Sequence, residues 1–192
     1  YRDELKDINS PLYHKLDWNE SSQMPYSKVK DILIEEFKNL DINYYPDTNA
    51  RLLISKLASY NKIPDESILV YNGSDAALKN IFDTFLNVGS KVFVLGPTYT
   101  QIDTFIISNG AKIISHVPKV IWNVNILDEL VEPLGISNAD IVYINNPNNP
   151  TGVLYNIKSI GKLAKMYKSK LFIIDEAYYE FCGETSIDLI EL

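Results

Sequence analysis

Five short runs of mostly apolar residues constrain the fold of this chain more than any other feature. They cover 68–71, 92–95, 112–115, 141–144 and 171–174, and segments of helical periodicity separate most of them. Short apolar runs bounded by turn residues are typical of strands that are buried on both faces. The sequence therefore predicts an α/β fold, with a mainly parallel sheet flanked by helices.

The segments around these runs predict an N-terminal arm and several helices. Residues 1–24 are polar and irregular, which indicates an extended arm, and Pro25 is placed to begin a first helix. A second helical pattern follows a turn at 43–48, and we expect Thr48 or Asn49 to cap it. Further helices are predicted within 75–87, 99–109 and 156–169.

Composition and charge exclude several classes of protein. The sequence has 25 acidic and 18 basic residues, a net charge of −7, without a basic tract. We therefore predict neither a nucleic-acid partner nor a membrane partner. Cys182 is the only cysteine, which excludes a disulfide framework and a zinc cluster and favours a cytoplasmic setting.

The residues directly after the runs form the candidate site, because ligands bind at the carboxyl ends of parallel strands. The first run is followed by Gly73, Ser74 and Asp75 and then by a helix. Such a turn presents backbone N–H groups to an anion such as phosphate. The alternative is a plain turn in which Ser74 or Asp75 caps the helix. After the second run, Tyr99 is aimed over the strand ends, unless it is an ordinary half-buried tyrosine.

Two later loops add an amide, a carboxylate and a phenol. Residues 145–152 include four asparagines and two prolines, which predicts a loop of fixed shape that holds an amide in one orientation. Asp175 follows the last run, and a carboxylate there needs a cation or a donor if the strand is central. At a sheet edge it would instead cap a turn in water. Tyr178 can point its hydroxyl group toward the same place.

Together, these groups suit a phosphorylated, cationic aromatic ring. They supply an anion-binding turn, an aromatic side chain, an oriented amide, a carboxylate and a phenol. Pyridoxal phosphate is such a molecule, and its ring nitrogen needs a carboxylate to stay protonated and act as an electron sink.

Five motifs carry a resemblance to a known family. They are NYYPD at 43–47, NGSD at 72–75, GPTY at 96–99, NPNNPTG at 146–152 and IIDEAYYEF at 173–181. With these motifs, and LDWNES at 16–21, the chain resembles class I/II aminotransferases of fold type I, especially the histidinol-phosphate aminotransferases. The resemblance implies pyridoxal phosphate as cofactor. It also implies transfer of an amino group between an amino acid, or an amino alcohol that can be phosphorylated, and a keto acid.

The resemblance assigns four residues to the cofactor ring. Tyr99 matches the aromatic residue that stacks on the ring, and Asp175 matches the partner of the ring nitrogen. Asn149 and Tyr178 match the amide and the phenol that hydrogen-bond the ring hydroxyl group.

Four further positions match residues around the phosphate and the substrate. Ser74 and Asp75 match the turn that binds the cofactor phosphate. Tyr45 matches a tyrosine that reaches the phosphate in the neighbouring subunit, which implies a homodimer with shared sites. Asn19 matches a substrate-side residue near the entrance.

The resemblance covers the first part of the family's sequence. It implies an N-terminal arm and first helix over 1–45, and the first part of the cofactor-binding large domain over 46–192. The family's Schiff-base lysine lies well beyond the aspartate, and no residue after Asp175 is lysine. We therefore expect the N-terminal portion of a longer enzyme, inactive by itself and without the small domain. In this fold the first strand lies beside the last one, so residues 68–71 should lack a neighbour.

Two other functions stay open at this point. A decarboxylase of phosphorylated amino acids on the same fold would use the same residues, and release of carbon dioxide would distinguish it. A non-catalytic cofactor-binding or interaction module would explain the missing lysine. The partners expected of the aminotransferase are a small-molecule amino donor, a keto acceptor and a second copy of the protein.

Overall fold

The computed structural model describes Asn19 and residues 26–190, and the chain divides into two units, Tyr1–Asn49 and Ala50–Leu192. In the first unit, helix α1 (Tyr26–Lys38) begins directly after Pro25, which confirms the predicted first helix. Apart from Asn19, the predicted arm over 1–24 lies outside the described residues.

The second unit alternates helices and strands. Its helices are α2 (Arg51–Asn61), α3 (Ser74–Phe85), α4 (Gln101–Ser108), α5 (Leu127–Ile136), α6 (Ile157–Met166) and the short α7 (Tyr179–Cys182). Its strands are β1 (Lys91–Leu95), β2 (Lys112–His116), β3 (Ile141–Asn145) and β4 (Leu171–Asp175). Four of the five predicted strands are therefore confirmed, each to within one residue at its ends.

The four strands form one sheet in the order β2-β1-β3-β4, and every pair is parallel. Strand β3 is buried along its whole length and lies between β1 and β4. Its register places Tyr143 opposite Val94 of β1 and Ile173 of β4, and Asn145 opposite Asp175. The carboxyl ends of β3 and β4 therefore reach the same edge of the sheet.

Helices cover both faces of this sheet, as predicted. Helices α3 and α4 pack on one face, where the buried cluster includes Leu78, Phe82, Val94, Ile106 and Tyr143. Helices α5 and α6 pack on the other face, where the cluster includes Phe93, Leu134, Ile144, Tyr155 and Leu163. Neighbouring residues of a strand point to opposite faces, so Tyr143 and Ile144 belong to different clusters.

The predicted strand at 68–71 is wrong. Ile68 has extended dihedral angles, φ −120° and ψ 131°, yet the segment pairs with none of the strands in the described part of the chain. Leu69 is 77% exposed while Ile68 and Val70 are half-buried, which is the alternation of a strand. A strand also needs a neighbour for its N–H and C=O groups. The resemblance places that neighbour further along the family's sequence.

The predicted cap of α2 is also wrong. Ala50 occupies the N-cap position with a φ of 47°, and no side chain bonds the end of the helix there. The side chain of Asp47 instead accepts a hydrogen bond from the Asn49 backbone N–H at 3.1 Å. The polar residues of this segment therefore stabilise the preceding turn.

No helix among the described residues is long and apolar enough to cross a membrane.

Candidate active site

The first part of the candidate site is the beginning of α3. Gly73 precedes this helix with a φ of 86°, a backbone conformation that favours glycine. No side chain caps the helix, so the alternative of a plain turn capped by Ser74 or Asp75 is wrong. Both side chains are exposed. The backbone N–H groups of the first turn and the positive end of the helix dipole can therefore face an anion.

Tyr99 is joined to this helix start. It follows β1 and is half-buried, and its hydroxyl group donates to both carboxylate oxygens of Asp75, at 2.9 and 3.2 Å. Burial, followed by the hydrogen bond and the negative charge of Asp75, raises the pKa of Tyr99 to about 12. The phenol therefore stays a neutral donor. Its hydrogen bonds to Asp75 hold the loop after β1 against the first turn of α3.

Asp175 is a buried carboxylate with a hydrogen-bond donor on each oxygen. It is 9% exposed, although β4 is an edge strand of the described sheet. The Tyr143 hydroxyl donates to Oδ2 at 2.7 Å, and the Ala177 backbone N–H donates to Oδ1 at 3.1 Å. Each of the two expectations is thus partly confirmed. As expected for a central strand, the carboxylate has a buried hydrogen-bond donor, Tyr143. As expected for an edge strand, it also caps a turn, through the Ala177 N–H.

Tyr143 is a site residue that the sequence analysis missed. It is fully buried, and burial, followed by the negative charge of Asp175, raises the pKa of its phenol. Tyr143 and Asp175 meet because β3 and β4 are neighbours with the register given above. The sequence signal that could have indicated Tyr143 was a single tyrosine within an apolar run, two residues before Asn145.

The asparagine loop is fixed by side chains that the sequence did not single out. Asn145 donates to the backbone oxygen of Asp175 at 2.9 Å and accepts from the Asn149 backbone N–H at 2.7 Å. Asn148 donates to the backbone oxygen of Pro97 at 2.9 Å, in the loop that carries Tyr99. The loop is therefore fixed to both neighbouring strand ends.

Asn149 and Tyr178 face each other across the site. The Asn149 side-chain amide lies 3.5 Å from the Tyr178 hydroxyl oxygen, the length of a weak hydrogen bond, and both side chains are half-buried. An amide donor and a phenol this close can bind the same oxygen atom of a ligand.

The structure brings five of the predicted residues to one edge of the sheet. The pKa of Tyr99 is raised not only by Asp75 but also by Asp175 and Tyr178, so these groups lie within electrostatic range of one another. Asn149 joins them through its contact with Tyr178. Ser74 lies beside Asp75 at the start of α3.

Two predicted residues belong to the other unit of the chain. Asn19 is exposed, and Tyr45 is 97% exposed. Their predicted roles, toward the substrate and toward the neighbouring subunit, stay predictions.

The side chains and backbone groups of the candidate site, all in the second unit, fit pyridoxal phosphate. The α3 start can bind a phosphate, Asp175 can face a protonated ring nitrogen, Asn149 and Tyr178 can bind a ring hydroxyl group, and Tyr99 offers an aromatic face. No group of three or more histidine, cysteine, aspartate or glutamate side chains within the described residues could hold a metal ion.

Comparison with known proteins defines the class. The family model for aminotransferase class I and II matches residues 13–191, and the chain belongs to this family. The chain is 35% identical to the dihydroxyacetone phosphate transaminase Cj1437c of Campylobacter jejuni, covering 92% of this chain and 48% of that protein. It is 32% identical to a histidinol-phosphate aminotransferase of Hydrogenobaculum sp., covering 95% and 51%. The chain thus spans about half the length of these curated relatives.

Solved structures share the fold. The histidinol-phosphate aminotransferase of Sinorhizobium meliloti, solved in complex with pyridoxal-5'-phosphate, matches with a TM-score of 0.69 and 22% identity, over 82% of this chain and 41% of that one. The L-threonine-O-3-phosphate decarboxylase of Porphyromonas gingivalis matches with a TM-score of 0.71 and 24% identity, over 87% and 47%. Transaminases and a decarboxylase therefore share this fold.

Proposed function

We propose that the whole protein is a pyridoxal-phosphate-dependent aminotransferase. One observation carries the proposal: Tyr99, Asn149, Asp175 and Tyr178 meet at the carboxyl edge of the sheet, beside a helix start that no side chain caps. Family membership restricts the chemistry to that of class I and II aminotransferases and their relatives.

Each residue of this group has a distinct task toward the cofactor. Asp175 would keep the ring nitrogen protonated, because its negative charge lies in a site that excludes most water. Asn149 and Tyr178 would hold the ring hydroxyl group, and Tyr99 would stack on the ring. When bound, the cofactor supplies an electron sink for the substrate carbon that loses a proton.

The start of α3 would hold the cofactor phosphate. The backbone N–H groups of Ser74 and Asp75 lie in the first turn, where the helix dipole favours negative charge. The Asp75 carboxylate is turned to the Tyr99 hydroxyl. This contact would keep the negative charge of Asp75 partly compensated near a phosphate.

The substrates we propose are an amino acid or a phosphorylated amino alcohol as amino donor and a keto acid as acceptor. The names of both curated relatives refer to phosphorylated substrates. We also propose a homodimer in which Tyr45 reaches the partner's cofactor phosphate and Asn19 lies on the substrate side. A cytoplasmic setting is part of this proposal.

The test is an assay of the whole protein with pyridoxal phosphate and a panel of phosphorylated and plain amino donors. We expect the amino group to appear on the keto acid without release of carbon dioxide. Carbon dioxide release with a phosphorylated amino acid would establish the decarboxylase instead. Stoichiometric cofactor binding without any turnover would favour the non-catalytic module.

A further inference from the structure

The buried hydroxyl group of Tyr143 has one hydrogen-bond partner in the described structure, and that partner is the Asp175 carboxylate. The tyrosine ring is packed among apolar residues, with the Phe82 ring at a centroid distance of 6.4 Å. A phenylalanine would fill this apolar space equally well. The hydroxyl group is therefore explained by the 2.7 Å bond to Asp175 rather than by packing.

Asp175 in turn depends on this donor. Its hydrogen bonds in the described chain come from Tyr143 on Oδ2 and from the Ala177 N–H on Oδ1. Its backbone oxygen accepts from the Asn146 N–H at 2.8 Å and from the Asn145 side chain at 2.9 Å. The main chain is thus fixed by the sheet and the loop, while the orientation of the carboxylate is set by Tyr143 and the Ala177 turn.

We propose that Tyr143 is a positioning residue that acts on the cofactor ring nitrogen through Asp175. The inference rests on the proposed function, in which Asp175 is the partner of that nitrogen. The phenol donates a hydrogen bond that holds the carboxylate in one orientation, at a place where little water reaches it. Tyr143 itself would not touch the cofactor, because in the proposed site the carboxylate would lie between the phenol and the ring nitrogen.

The other titratable groups near this pair cannot replace the phenol. Tyr99, which lies on the loop after β1, already donates the hydrogen bond of its hydroxyl group to Asp75. The Tyr178 hydroxyl group lies 3.5 Å from the Asn149 side-chain amide. Without Tyr143, the buried Oδ2 atom would lose its hydrogen-bond donor.

A pair of matched variants and a pair of cofactors test the proposal in the whole protein. Tyr143→Phe removes the donor, whereas Tyr155→Phe removes a hydroxyl from an equally buried tyrosine in the opposite cluster. The Tyr155 hydroxyl has no hydrogen-bond partner in the described structure. The probes are pyridoxal phosphate and its 1-deaza analogue, which has a C–H group in place of the ring nitrogen. The readout is the dissociation constant of each probe.

We expect Tyr143→Phe to weaken pyridoxal phosphate binding about tenfold, the effect of losing one hydrogen bond to a charged group. Binding of the deaza analogue should change by less than twofold. Tyr155→Phe should change neither. Equal loss for both probes would assign Tyr143 a purely structural role and overturn the proposal, as would unchanged or tighter binding of pyridoxal phosphate. If the unsubstituted protein binds neither probe, the proposed function itself fails.

A second measurement keeps the hydroxyl group in place and does not depend on how well the phenylalanine variant folds. With 3-fluorotyrosine at position 143, the fluorine NMR signal should move when pyridoxal phosphate binds and move much less with the deaza analogue. Identical movements with both probes would overturn the proposal.

Discussion

Two tyrosine–aspartate pairs lie at the same edge of the sheet and differ in depth. The outer pair, Tyr99 and Asp75, is half-buried on the side of the phenol and exposed on the side of the carboxylate. The inner pair, Tyr143 and Asp175, is buried on both sides. The same phenol–carboxylate hydrogen bond therefore occurs once near the surface and once in a buried position. The difference indicates that the inner pair is the one that fixes the position of its carboxylate.

The elements that carry each pair explain the contrast. The outer pair joins a loop to the first turn of a helix. The Tyr99 hydroxyl group donates a bifurcated hydrogen bond to both carboxylate oxygens of Asp75, at 2.9 and 3.2 Å. The inner pair joins two neighbouring strands whose register is fixed by the sheet, and its single bond is 2.7 Å long. We therefore expect the outer pair to adjust to a ligand more readily than the inner pair, whose strands are fixed in register.

The largest expected effect is on turnover of the whole protein. Asp175→Ala should lower kcat about 10²-fold with saturating cofactor, because in the proposed function it removes the charge that would keep the ring nitrogen protonated. Asp75→Ala, in the outer pair, should lower kcat less than tenfold. Steady-state kinetics of the two variants decide this. Near-normal turnover of Asp175→Ala would show that Asp175 only caps the turn at the end of β4.

A smaller effect is expected on cofactor affinity when the outer pair is weakened. Asp75→Asn should raise the dissociation constant of pyridoxal phosphate three- to tenfold, because loss of the charged acceptor that holds Tyr99 should outweigh the removal of one negative charge near the phosphate. Asp83→Asn is the matched control, since Asp83 is a carboxylate of the same helix that bonds Lys79 and Asn109. An equal loss in both variants would mean that helix charge, not the Tyr99 contact, sets the affinity.

The two phenols should also ionise differently. The pKa of Tyr99 is about 12, above the ordinary value of 10.0, so the stability it contributes is present below pH 10 and lost as the pH rises through 12. The absorbance step at 295 nm near pH 12 should vanish in Tyr99→Phe and persist in Tyr143→Phe, since burial raises the pKa of Tyr143 further. Loss of the step in Tyr143→Phe would reverse the assignment of the outer and inner pairs.

The smallest expected effect is local, and concerns backbone amides of this chain by itself. The amides of β3 lie between two strands and should exchange slowly, while those of 68–71, which have no strand neighbour in the described sheet, should exchange fast. We also expect the chain to associate through such unpaired edges, which light scattering would detect. Slow exchange at 68–71 in a monomeric chain would contradict the strand order implied by the family.

The sequence was sufficient where structure depends on local pattern. Strands β1 to β4 follow from apolar runs bounded by turns. The sequence was insufficient where structure depends on the pairing of strands. A similar apolar run at 68–71 forms no strand, because it has no neighbouring strand in the described sheet. The helix α5 was not located either, since Pro133 within it is a residue that normally ends a helix.

The same limit applies to the site. Asp75, Tyr99, Asn149, Asp175 and Tyr178 could be named because each follows an apolar run within a recognisable motif, although the run before Asp75 forms no strand. Tyr143 could not be named, because its role depends on the register between β3 and β4. Asn145 and Asn148 share a motif with Asn149, and only their hydrogen bonds show that they fix the loop.

The most direct test of the central claim is the protonation state of the cofactor nitrogen in the whole protein. Pyridoxal phosphate labelled with ¹⁵N at the ring should show the chemical shift of a protonated nitrogen between pH 6 and pH 8. In Asp175→Asn, the signal should move to the shift of an unprotonated ring. A nitrogen that is unprotonated in the unsubstituted protein, or a signal that Asp175→Asn leaves unchanged, would contradict the assignment of this strand edge as the cofactor site.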